Sequence, residues 1–438
     1  MKSKRFVMIM YSLGYLGISI FTQTTVKWYQ YFYTPPKVNS SNLRTLIPVG
    51  VIGFSMIIAR IFDGVSDPLV AYYSDKCKSK RGRRIPFILY GAVPLSLSFI
   101  ALWFPPVLGE SIANFIYLTV VLSLFFIFFT IVTAPYLALI SEISSNNSER
   151  ITLTTMQGIT QIIGVMIAEV GSGIIINMYN FKVMGIVLGI IALLSVILTP
   201  IFVKENIKDM QEVPDIGMIE SVRQTITNKN FAYYLISYIT VWFGINTLTI
   251  TMPYITEVLL KTKAENSGFM IAGAFVLAAV FMPFLPKIVL KYGKKKVMIL
   301  SSIFLSIIMF LTSFFGSLFS YNVSFVIVVL SGIPLSVIFV VPNAMIADIA
   351  QVDAENTGKR REGMFFGAQG LIIKIVIGLS SFITPFLFKT FGYSIDRPLG
   401  IRLCGIVAAI FILLGLVFLR MYSIDEAKIE NSIGIANR

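Results

Sequence analysis

The stretch ARIFDGVSDPLVAYYSDKCKSKRGRR, residues 59–84, decides the fold class. Its first half is apolar apart from Arg60 and the two aspartates Asp63 and Asp67, and its end is densely basic. Apolar runs of about 20 residues, long enough to cross a bilayer, recur along the whole chain. Of the 438 residues, 56% are hydrophobic and only 13% are charged, roughly half the charged fraction of a soluble domain. We therefore predict an all-α, polytopic membrane protein with an uncleaved first helix.

Twelve membrane spans are predicted, with a polar stretch between the sixth and the seventh. This stretch divides the chain into an N-terminal six-helix bundle at 1–203, a cytoplasmic linker at 204–230 and a C-terminal six-helix bundle at 231–438. A weak internal repeat supports two halves, because Gly82-Arg83-Arg84 opens the third span and Gly293-Lys294-Lys295 opens the ninth. Parallel halves of this kind are the arrangement of the major facilitator fold. The spans are predicted at 7–33, 45–74, 84–104, 111–142, 151–178, 181–203, 231–259, 266–291, 295–317, 322–348, 362–388 and 397–421.

Lysine and arginine are concentrated in alternate loops, which predicts the orientation in the membrane. The densest basic runs lie at 76–84, 291–296 and 359–361, and the N-terminus is also basic. All of them fall on one side if the N-terminus is cytoplasmic. We therefore predict a multi-pass protein of the cell (inner or plasma) membrane with both termini cytoplasmic. This distribution also explains the formal net charge of +14 and argues against nucleic acid as a partner.

Asp63 and Asp67 lie four residues apart in the middle of an apolar span. On a helix they share one face about one turn apart. Two carboxylates that close resist joint ionisation unless a proton or cation neutralises them, and acids inside membranes mark functional sites. Ser66 and Thr130 add neutral oxygens, and an all-oxygen ligand set suits a hard ion such as Na⁺. We predict a cation site here, which serves Na⁺ or H⁺.

Polar groups from three spans are predicted to lie at one depth. Counted at about 1.5 Å per residue from the cytoplasmic ends, Asp63, Thr130, Thr133 and Lys374 lie roughly 14–18 Å into the membrane, near its midplane. Transporters keep their solute and ion sites there. A buried ammonium at Lys374 needs a partner, and the midplane acids are the expected ones; snorkelling to an interface is the alternative. For the acids, the alternative is pairing with Arg60 or Lys374 to hold helices together.

Further charged residues lie inside predicted spans. Glu169 is expected either to line the cavity on its outward side or to be a lone acid at a helix interface. Lys27, Trp28 and Glu257 lie toward outer helix ends, where interfacial anchors are typical.

Two charged loops, after the second and the tenth spans, lie on the same predicted side. The functional interpretation is an inner-face salt-bridge lock that breaks as the bundles move, and the alternative is a topology signal alone. The candidate lock residues are Asp75, Arg81, Arg83, Arg84, Asp348, Arg361 and Glu362.

Enzymatic chemistry has no support in the sequence. The chain contains no histidine, which excludes His-based proton relays and nearly all His-ligated metal sites. It has no G-x-S-x-G, P-loop or H-E-x-x-H motif, and its two cysteines, Cys77 and Cys404, do not form a disulfide framework or metal knot. We expect no enzyme and no cofactor beyond a coupling ion. A sensor that binds but does not transport is a further alternative, although the intact acid pair argues against it.

Residues 59–91, ending in RGRRIPFILYG, and residues 347–374, ADIAQVDAENTGKRREGMFFGAQGLIIK, resemble the glycoside–pentoside–hexuronide:cation symporters, the melibiose-permease family of the major facilitator superfamily. The resemblance implies a monomeric symporter of a small-molecule solute, a sugar or glycoside. It also implies that the acids matching Asp63 and Asp67 bind Na⁺, H⁺ or Li⁺ with help from the position of Thr130, and that Lys374 belongs to a polar centre.

The galactoside half of the family site is not kept. Ser19 and Thr133 stand where the family has aspartates that hold the sugar, Leu137 replaces an aromatic platform, and Gly158 replaces an arginine. Side chains with the chemistry to rebuild a sugar site are Gln23, Tyr136, Gln157, Gln161, Trp242, Asn246 and Gln369. The loss of the carboxylates also permits an alternative solute, a lysophospholipid or another amphiphile, because the same superfamily branch resembles lysolipid carriers.

Overall fold

The structure, a computed structural model, describes residues 4–37, 43–79, 81–144, 147–205, 225, 227–357 and 362–424. In these ranges, eleven helices are long and apolar enough to cross a bilayer, and the shorter apolar helix Ile85–Ala101 is a twelfth. They follow the predicted spans in order, so the all-α, polytopic class is confirmed. The α-helices are α1 Lys4–Tyr33, α2 Val49–Lys76, α3 Ile85–Ala101, α4 Ile112–Ile143, α5 Asn147–Met166, α6 Ser172–Met178, α7 Phe181–Phe202, α8 Lys229–Tyr254, α9 Asn266–Phe281, α10 Leu285–Tyr292, α11 Lys294–Thr312, α12 Tyr321–Leu330, α13 Gly332–Thr357, α14 Glu362–Phe391 and α15 Leu399–Met421.

Several spans contain an irregular turn. The π-helical turn Ile167–Gly171 joins α5 to α6, and a second π-helical turn, Ile255–Leu259, follows α8. Each of these turns contains one acidic residue. Wider turns of this kind leave backbone groups out of register with the regular helix and are frequent at functional sites.

The ninth span ends earlier than predicted. Helix α11 stops at Thr312 rather than at 317, and the turns that follow it are held by Arg402 of α15. The Arg402 guanidinium donates to the carbonyls of Ser313 and Phe315. These carbonyls lack helical partners at the end of α11, so a guanidinium satisfies them and complements the helix dipole.

The chain forms two compact units. The first comprises Met1–Val213, Thr249–Ala272 and Ser381–Gly400, and the second comprises Pro214–Leu248, Gly273–Ser380 and Ile401–Arg438. Segments from the second half of the sequence thus group with the first unit. The linker at 204–230 lies mostly outside the described residues, and the division of the chain there stays a prediction.

In the first unit, small residues let α1 approach its neighbours closely. A Cβ atom on Gly17 would lie 2.4 Å from the carbonyl oxygen of Ala192 in α7, and one on Gly164 of α5 would lie 2.5 Å from that of Leu16. Helix association in membranes relies on such close backbone packing, since lipid tails are as apolar as leucine.

In the second unit, a buried cluster joins six helices, α8, α10, α11, α13, α14 and α15. Its members include Tyr234, Leu305, Ile338, Phe365 and Ile412. Aromatic side chains dominate the α8 side of this cluster and lead to the polar residues described below.

Candidate functional site

Asp63 is the centre of a buried polar cluster in the first unit. Its side chain is 0% exposed, although it lies in an apolar span. One carboxylate oxygen, Oδ1, accepts a hydrogen bond from the Thr130 hydroxyl of α4 at 2.7 Å. The other, Oδ2, accepts from the Arg60 guanidinium at 3.0 Å. Arg60 is one turn before Asp63 on α2, so the helix itself supplies this ion pair.

Thr130 also contacts the second carboxylate. Its hydroxyl oxygen lies 3.2 Å from Oδ1 of Asp67, so one hydroxyl lies between two acids. A threonine hydroxyl has a single proton to donate. If it donates to Asp63, its contact with Asp67 brings two oxygen lone pairs together, unless a proton or a cation lies between them. The geometry therefore favours one positive charge at this point.

The backbone of α2 adds oxygens to the same place. Pro68 lies inside α2 and has no N–H, so the carbonyl of Gly64, between the two aspartates, lacks the donor that a regular helix supplies. Ser66, predicted to be a ligand, donates its hydroxyl proton to the main-chain carbonyl of Asp63 at 2.8 Å. Its lone pairs remain the only part of Ser66 suited to a cation.

Arg60 is held by two kinds of contact. Its guanidinium carbon lies 3.9 Å from the ring centroid of Phe126 on α4, and it donates to Asp63 as described. Such a cation–π contact is strongest where water is excluded. Arg60 thus pairs with the same Asp63 carboxylate that contacts Thr130, and the cation role of Asp63 stays a prediction.

Three further residues were predicted to contact the solute or to couple it to the cation. Ser19 is buried, donates to the carbonyl of Tyr15 at 2.8 Å and lies where Gly164 of α5 crosses α1. Thr133 is half-buried and donates to the carbonyl of Phe129 at 2.8 Å. Lys374 is half-buried in α14 of the second unit, whereas the acid pair belongs to the first; its pairing with these acids stays a prediction.

Tyr136 forms a contact between α1 and α4. Its ring stacks on Tyr11 with centroids 4.4 Å apart and planes 8° from parallel. Each hydroxyl donates to the other residue's main-chain carbonyl. The hydroxyl protons of both tyrosines are used in these two hydrogen bonds. The Tyr136 hydroxyl therefore has only its lone pairs left to contact a solute.

Gln369 lies in an aromatic setting in the second unit. It is buried beside the Tyr238 hydroxyl, which also lies near Trp242, and the ring of Phe339 lies 6.0 Å from that of Trp242. The Gln369 Oε1 atom is buried and has no hydrogen-bond partner among the described residues. A free amide oxygen beside aromatic faces is a group that a hydroxylated solute uses well.

Glu169 is paired with Lys27, and both side chains are 0% exposed. The Lys27 ammonium donates to Glu169 Oε2 at 2.7 Å and to the Glu169 main-chain carbonyl at 3.0 Å, and Gln23 donates to Oε1 at 2.7 Å. Trp28 is buried as well and donates to Ser172 at 2.8 Å. The prediction of interfacial anchors is therefore wrong for Lys27 and Trp28, because an intramembrane acid supplies the lysine with a partner.

Glu257 is also buried rather than interfacial, and the Tyr31 hydroxyl donates to it. Nearby in the first unit, Gly268 of α9 lies directly against the main-chain carbonyl of Glu169, where a Cβ atom would be 2.0 Å away. Both π-helical turns thus take part in contacts between α1, α5 and the segment Thr249–Ala272.

The basic turn before α3 is bound on both sides by acids. Arg83 and Arg84 donate to the Glu142 carboxylate of α4 at 2.8–3.0 Å. The backbone N–H groups of Arg83, Arg84 and Ile85 donate to Glu205, just after α7, at 2.6–2.7 Å. Burial raises the pKa of the Glu205 carboxyl, while these three donors act to lower it. Glu205 therefore caps the N-terminus of α3.

The second unit repeats this arrangement. Gly82 and Gly293 both have positive φ, +105° and +80°, a conformation that favours glycine. After Gly293, Lys294 donates to Asp348 of α13 at 2.6 Å, and Lys295 donates to the carbonyls of Arg420 and Tyr422, at the end of α15. Each basic turn is thus tied to an acid of a later span and to the end of the last span of its half.

The remaining lock candidates have different places. Arg81 is exposed and does not share the contacts of Arg83 and Arg84. The side chains of Asp75 and Glu362 and all of Arg361 lie outside the described residues. The ion pairs described for this group lie within one unit each, so a lock between the bundles stays a prediction.

Comparison with known protein families identifies the family to which the chain belongs. The family model described as MFS/sugar transport protein matches residues 10–426. The chain belongs to this family. The sequence resemblance to the glycoside–pentoside–hexuronide:cation symporters is confirmed with it, and the chain is a membrane transporter rather than an enzyme.

Relatives of this MFS/sugar transport protein include two with informative names. The putative glycoside/cation symporter YagG of Escherichia coli is 28% identical over 140 residues, which cover 32% of this chain and 28% of that protein. The sodium-dependent lysophosphatidylcholine symporter 1 of Xenopus tropicalis is 22% identical over 437 residues, covering 87% of this chain and 82% of that protein. Among solved structures, a D-xylose–proton symporter superposes with a TM-score of 0.65 at 15% identity, over 95% of this chain and 97% of that chain. This similarity shows the fold.

Sequence reasoning missed two parts of the site. The Gly64 carbonyl was readable from the Asp67-Pro68 pair, because a proline inside a helix always removes one backbone donor. The Glu205 cap had no local signal, since it joins residues about 120 positions apart.

Proposed function

We propose that the chain is a symporter that couples the movement of one monovalent cation, Na⁺ or H⁺, to that of a sugar or glycoside by alternating access. The observation that carries the proposal is the single Thr130 hydroxyl between the carboxylates of Asp63 and Asp67. A cation or proton at this point removes the repulsion between the acids and makes both contacts favourable.

The charges around the site support a monovalent ion. Two aspartates contribute two negative charges, and Arg60, paired with Asp63 at 3.0 Å, contributes one positive charge. Among these three side chains the net charge is minus one, which one Na⁺ or one proton neutralises, whereas a divalent ion would leave them with one excess positive charge. The oxygen ligands then available are the carboxylates, the Thr130 hydroxyl and the Gly64 carbonyl, which suit Na⁺.

The solute half of the proposal rests on Gln369 and its aromatic neighbours. A sugar presents hydroxyls to amide groups and an apolar face to rings, and Gln369, Trp242 and Tyr238 supply this combination within the second unit. Ser19, Thr133 and Tyr136 would contribute at most lone pairs, because their protons are used inside the first unit. We expect the second unit to contribute more of the solute contacts.

Coupling follows from linkage between the two sites. If cation binding raises solute affinity by some factor, solute binding raises cation affinity by the same factor. Lys374, a cation in the second unit, is the proposed element that senses whether the acid pair is neutralised. The cell-membrane location, cytoplasmic termini and monomeric state are proposed on the basic loops and the family resemblance.

The second candidate solute is a lysophospholipid or a related amphiphile. Ser19 and Thr133 replace the family's sugar-binding aspartates, and the relative from Xenopus tropicalis is named as a lysophosphatidylcholine symporter. Because Ser19 and Thr133 are uncharged, a solute site that contains them is less polar than one with two aspartates. Such a site suits an acyl chain better than it suits a sugar.

Thermal unfolding of the purified protein in detergent separates these possibilities. Glycosides, pentosides, uronides and lysolipids are each added in Na⁺ or in choline. We expect stabilisation by one solute class that is larger in Na⁺ than in choline, or larger at low pH if H⁺ is the coupling ion. Stabilisation by a lysolipid and by no glycoside supports the second candidate. Equal stabilisation with every cation and at every pH contradicts coupling.

A further inference from the structure

An apolar groove lies on the first unit between α2, α3 and α4. It has a volume of about 550 Å³, within the roughly 300–1,000 Å³ of small-molecule sites. Its lining includes Leu69, Tyr73, Phe87, Tyr90, Phe128 and Ile131. Leu69, Tyr73 and Tyr90 are 52%, 62% and 72% exposed. In a membrane-spanning bundle, large apolar side chains exposed in this way face lipid tails.

Helix α3, which forms one wall of the groove, is shorter than its neighbours. Helix α3 has 17 residues, so it is about 26 Å long, less than the roughly 30 Å of the hydrocarbon core. Its neighbours α2 and α4 have 28 and 32 residues and extend beyond it. The Glu205 cap fixes where α3 begins. A span shorter than the hydrocarbon core draws lipid headgroups toward it by local thinning of the bilayer.

The groove lining includes residues that flank the basic loop in sequence. Pro86 of its lining follows Arg84 by two residues, and Tyr73 precedes Lys76 by three. Four of the described basic residues of this loop fall into two groups. Arg83 and Arg84 are paired with Glu142, whereas Lys78 and Arg81 are exposed. Lys78 and Arg81 therefore present positive charge to water, each five residues along the chain from a residue of the groove lining.

We propose that this groove and the exposed part of the loop bind one anionic phospholipid of the adjoining leaflet. One acyl chain lies along Leu69 and Tyr90, and the phosphate contacts Lys78 and Arg81. Opposite charge at the headgroup and apolar surface below it match the two ends of such a lipid. The proposal is independent of the transported solute and of the coupling cation.

Native mass spectrometry of the delipidated protein tests the proposal. Dioleoyl phosphatidylglycerol and dioleoyl phosphatidylcholine, which share their chains and differ in headgroup charge, are titrated separately. We expect tighter binding of phosphatidylglycerol. Because each basic residue near a membrane surface contributes about fivefold in affinity, Lys78→Gln/Arg81→Gln should weaken phosphatidylglycerol binding about 30-fold. Phosphatidylcholine binding should weaken by a smaller factor, because its choline ammonium offsets the charge of the phosphate.

Two further variants make the test specific. Leu69→Trp fills the groove and should weaken both lipids, and its exposed position keeps the fold intact. Lys287→Gln/Lys291→Gln removes the same charge from two exposed lysines of α10 and should leave both lipids unchanged.

Four results overturn the proposal. The first is equal affinity for the two lipids, and the second is unchanged phosphatidylglycerol binding in Lys78→Gln/Arg81→Gln. The third is full competition by free glycerol phosphate, which would show an anion site without the groove. Dimers that disappear in Leu69→Trp would identify a second copy of the chain as the occupant and also contradict a lipid.

Discussion

Replacement of Lys27 by methionine should destabilise the protein strongly. The Lys27 ammonium lies 2.7 Å from the Glu169 carboxylate, and neither side chain is exposed. At this separation and an effective dielectric constant of about 20, the attraction is about 6 kcal/mol. Removal of one partner of a buried ion pair costs about 3–5 kcal/mol. This cost is smaller than the full attraction because the remaining carboxylate can be neutralised by protonation. We therefore expect Lys27→Met to lower the free energy of unfolding by about 3–5 kcal/mol.

The double variant Lys27→Met/Glu169→Gln should recover most of this loss. A glutamine in place of Glu169 keeps an oxygen for the Gln23 amide, which donates to Oε1 at 2.7 Å, and it removes the uncompensated buried charge. Replacement of both members of a buried pair by neutral groups is often close to neutral in stability. The double variant should therefore be more stable than Lys27→Met alone.

Equilibrium unfolding in mixed detergent micelles measures these free energies. Lys182→Met is the matched control, because Lys182 is exposed at the start of α7 and its loss should change stability by no more than about 0.5 kcal/mol. The loss of unfolding free energy in Lys27→Met should exceed that in Lys182→Met by more than about 1 kcal/mol. A smaller difference refutes the reasoning, as does a double variant that is less stable than Lys27→Met.

Three further predictions concern the cation site, the α3 cap and coupling. Thr130→Val should raise the cation concentration needed for a given thermal stabilisation about 10- to 100-fold, since it removes a hydrogen bond to a charged group. Thr119→Val, elsewhere on α4, should leave this concentration unchanged. Equal effects of the two substitutions would count against the bridging role of Thr130. Gly82→Ala should cost more unfolding free energy than Gly109→Ala. Both glycines have positive φ, where a residue with a Cβ is strained by about 1–3 kcal/mol, but only a Cβ on Gly82 would meet the Glu205 carboxylate, 2.3 Å away; equal losses would contradict this. Lys374→Ala should uncouple solute movement from the cation, and an unchanged coupling stoichiometry in proteoliposomes would refute that role.

The sequence predicted the spans well because hydrophobicity acts locally. A run of about 20 apolar residues has no stable alternative to a membrane helix. The acid pair was equally accessible, because Asp63 and Asp67 must share a face of any helix that contains them. Thr130 could be assigned to the same site because counting residues along α2 and α4 from their cytoplasmic ends places Thr130 and Asp63 at the same depth in the membrane.

Contacts between distant helices could not be predicted in the same way. Periodicity does not say which helices are neighbours, so the pairing of Lys27 with Glu169, 142 residues apart, was not found. A simple count would have helped, since each charge inside a span needs a partner of opposite sign. Tyr136 illustrates the reverse error, because its chemistry suits a sugar while its proton is used by the carbonyl of Tyr11.

Solute accumulation by Asp63→Asn in proteoliposomes tests the central claim most directly. Uptake of the solute found by thermal unfolding is measured under a Na⁺ gradient and under a pH gradient. Asp67→Asn is measured in parallel because it leaves the Arg60–Asp63 pair intact, and Asp396→Asn, an exposed acid outside the spans, is the control. The account predicts accumulation by Asp396→Asn and by the parent, and none driven by either gradient in Asp63→Asn or Asp67→Asn. Normal gradient-driven accumulation in both site variants would contradict a cation site at these two acids.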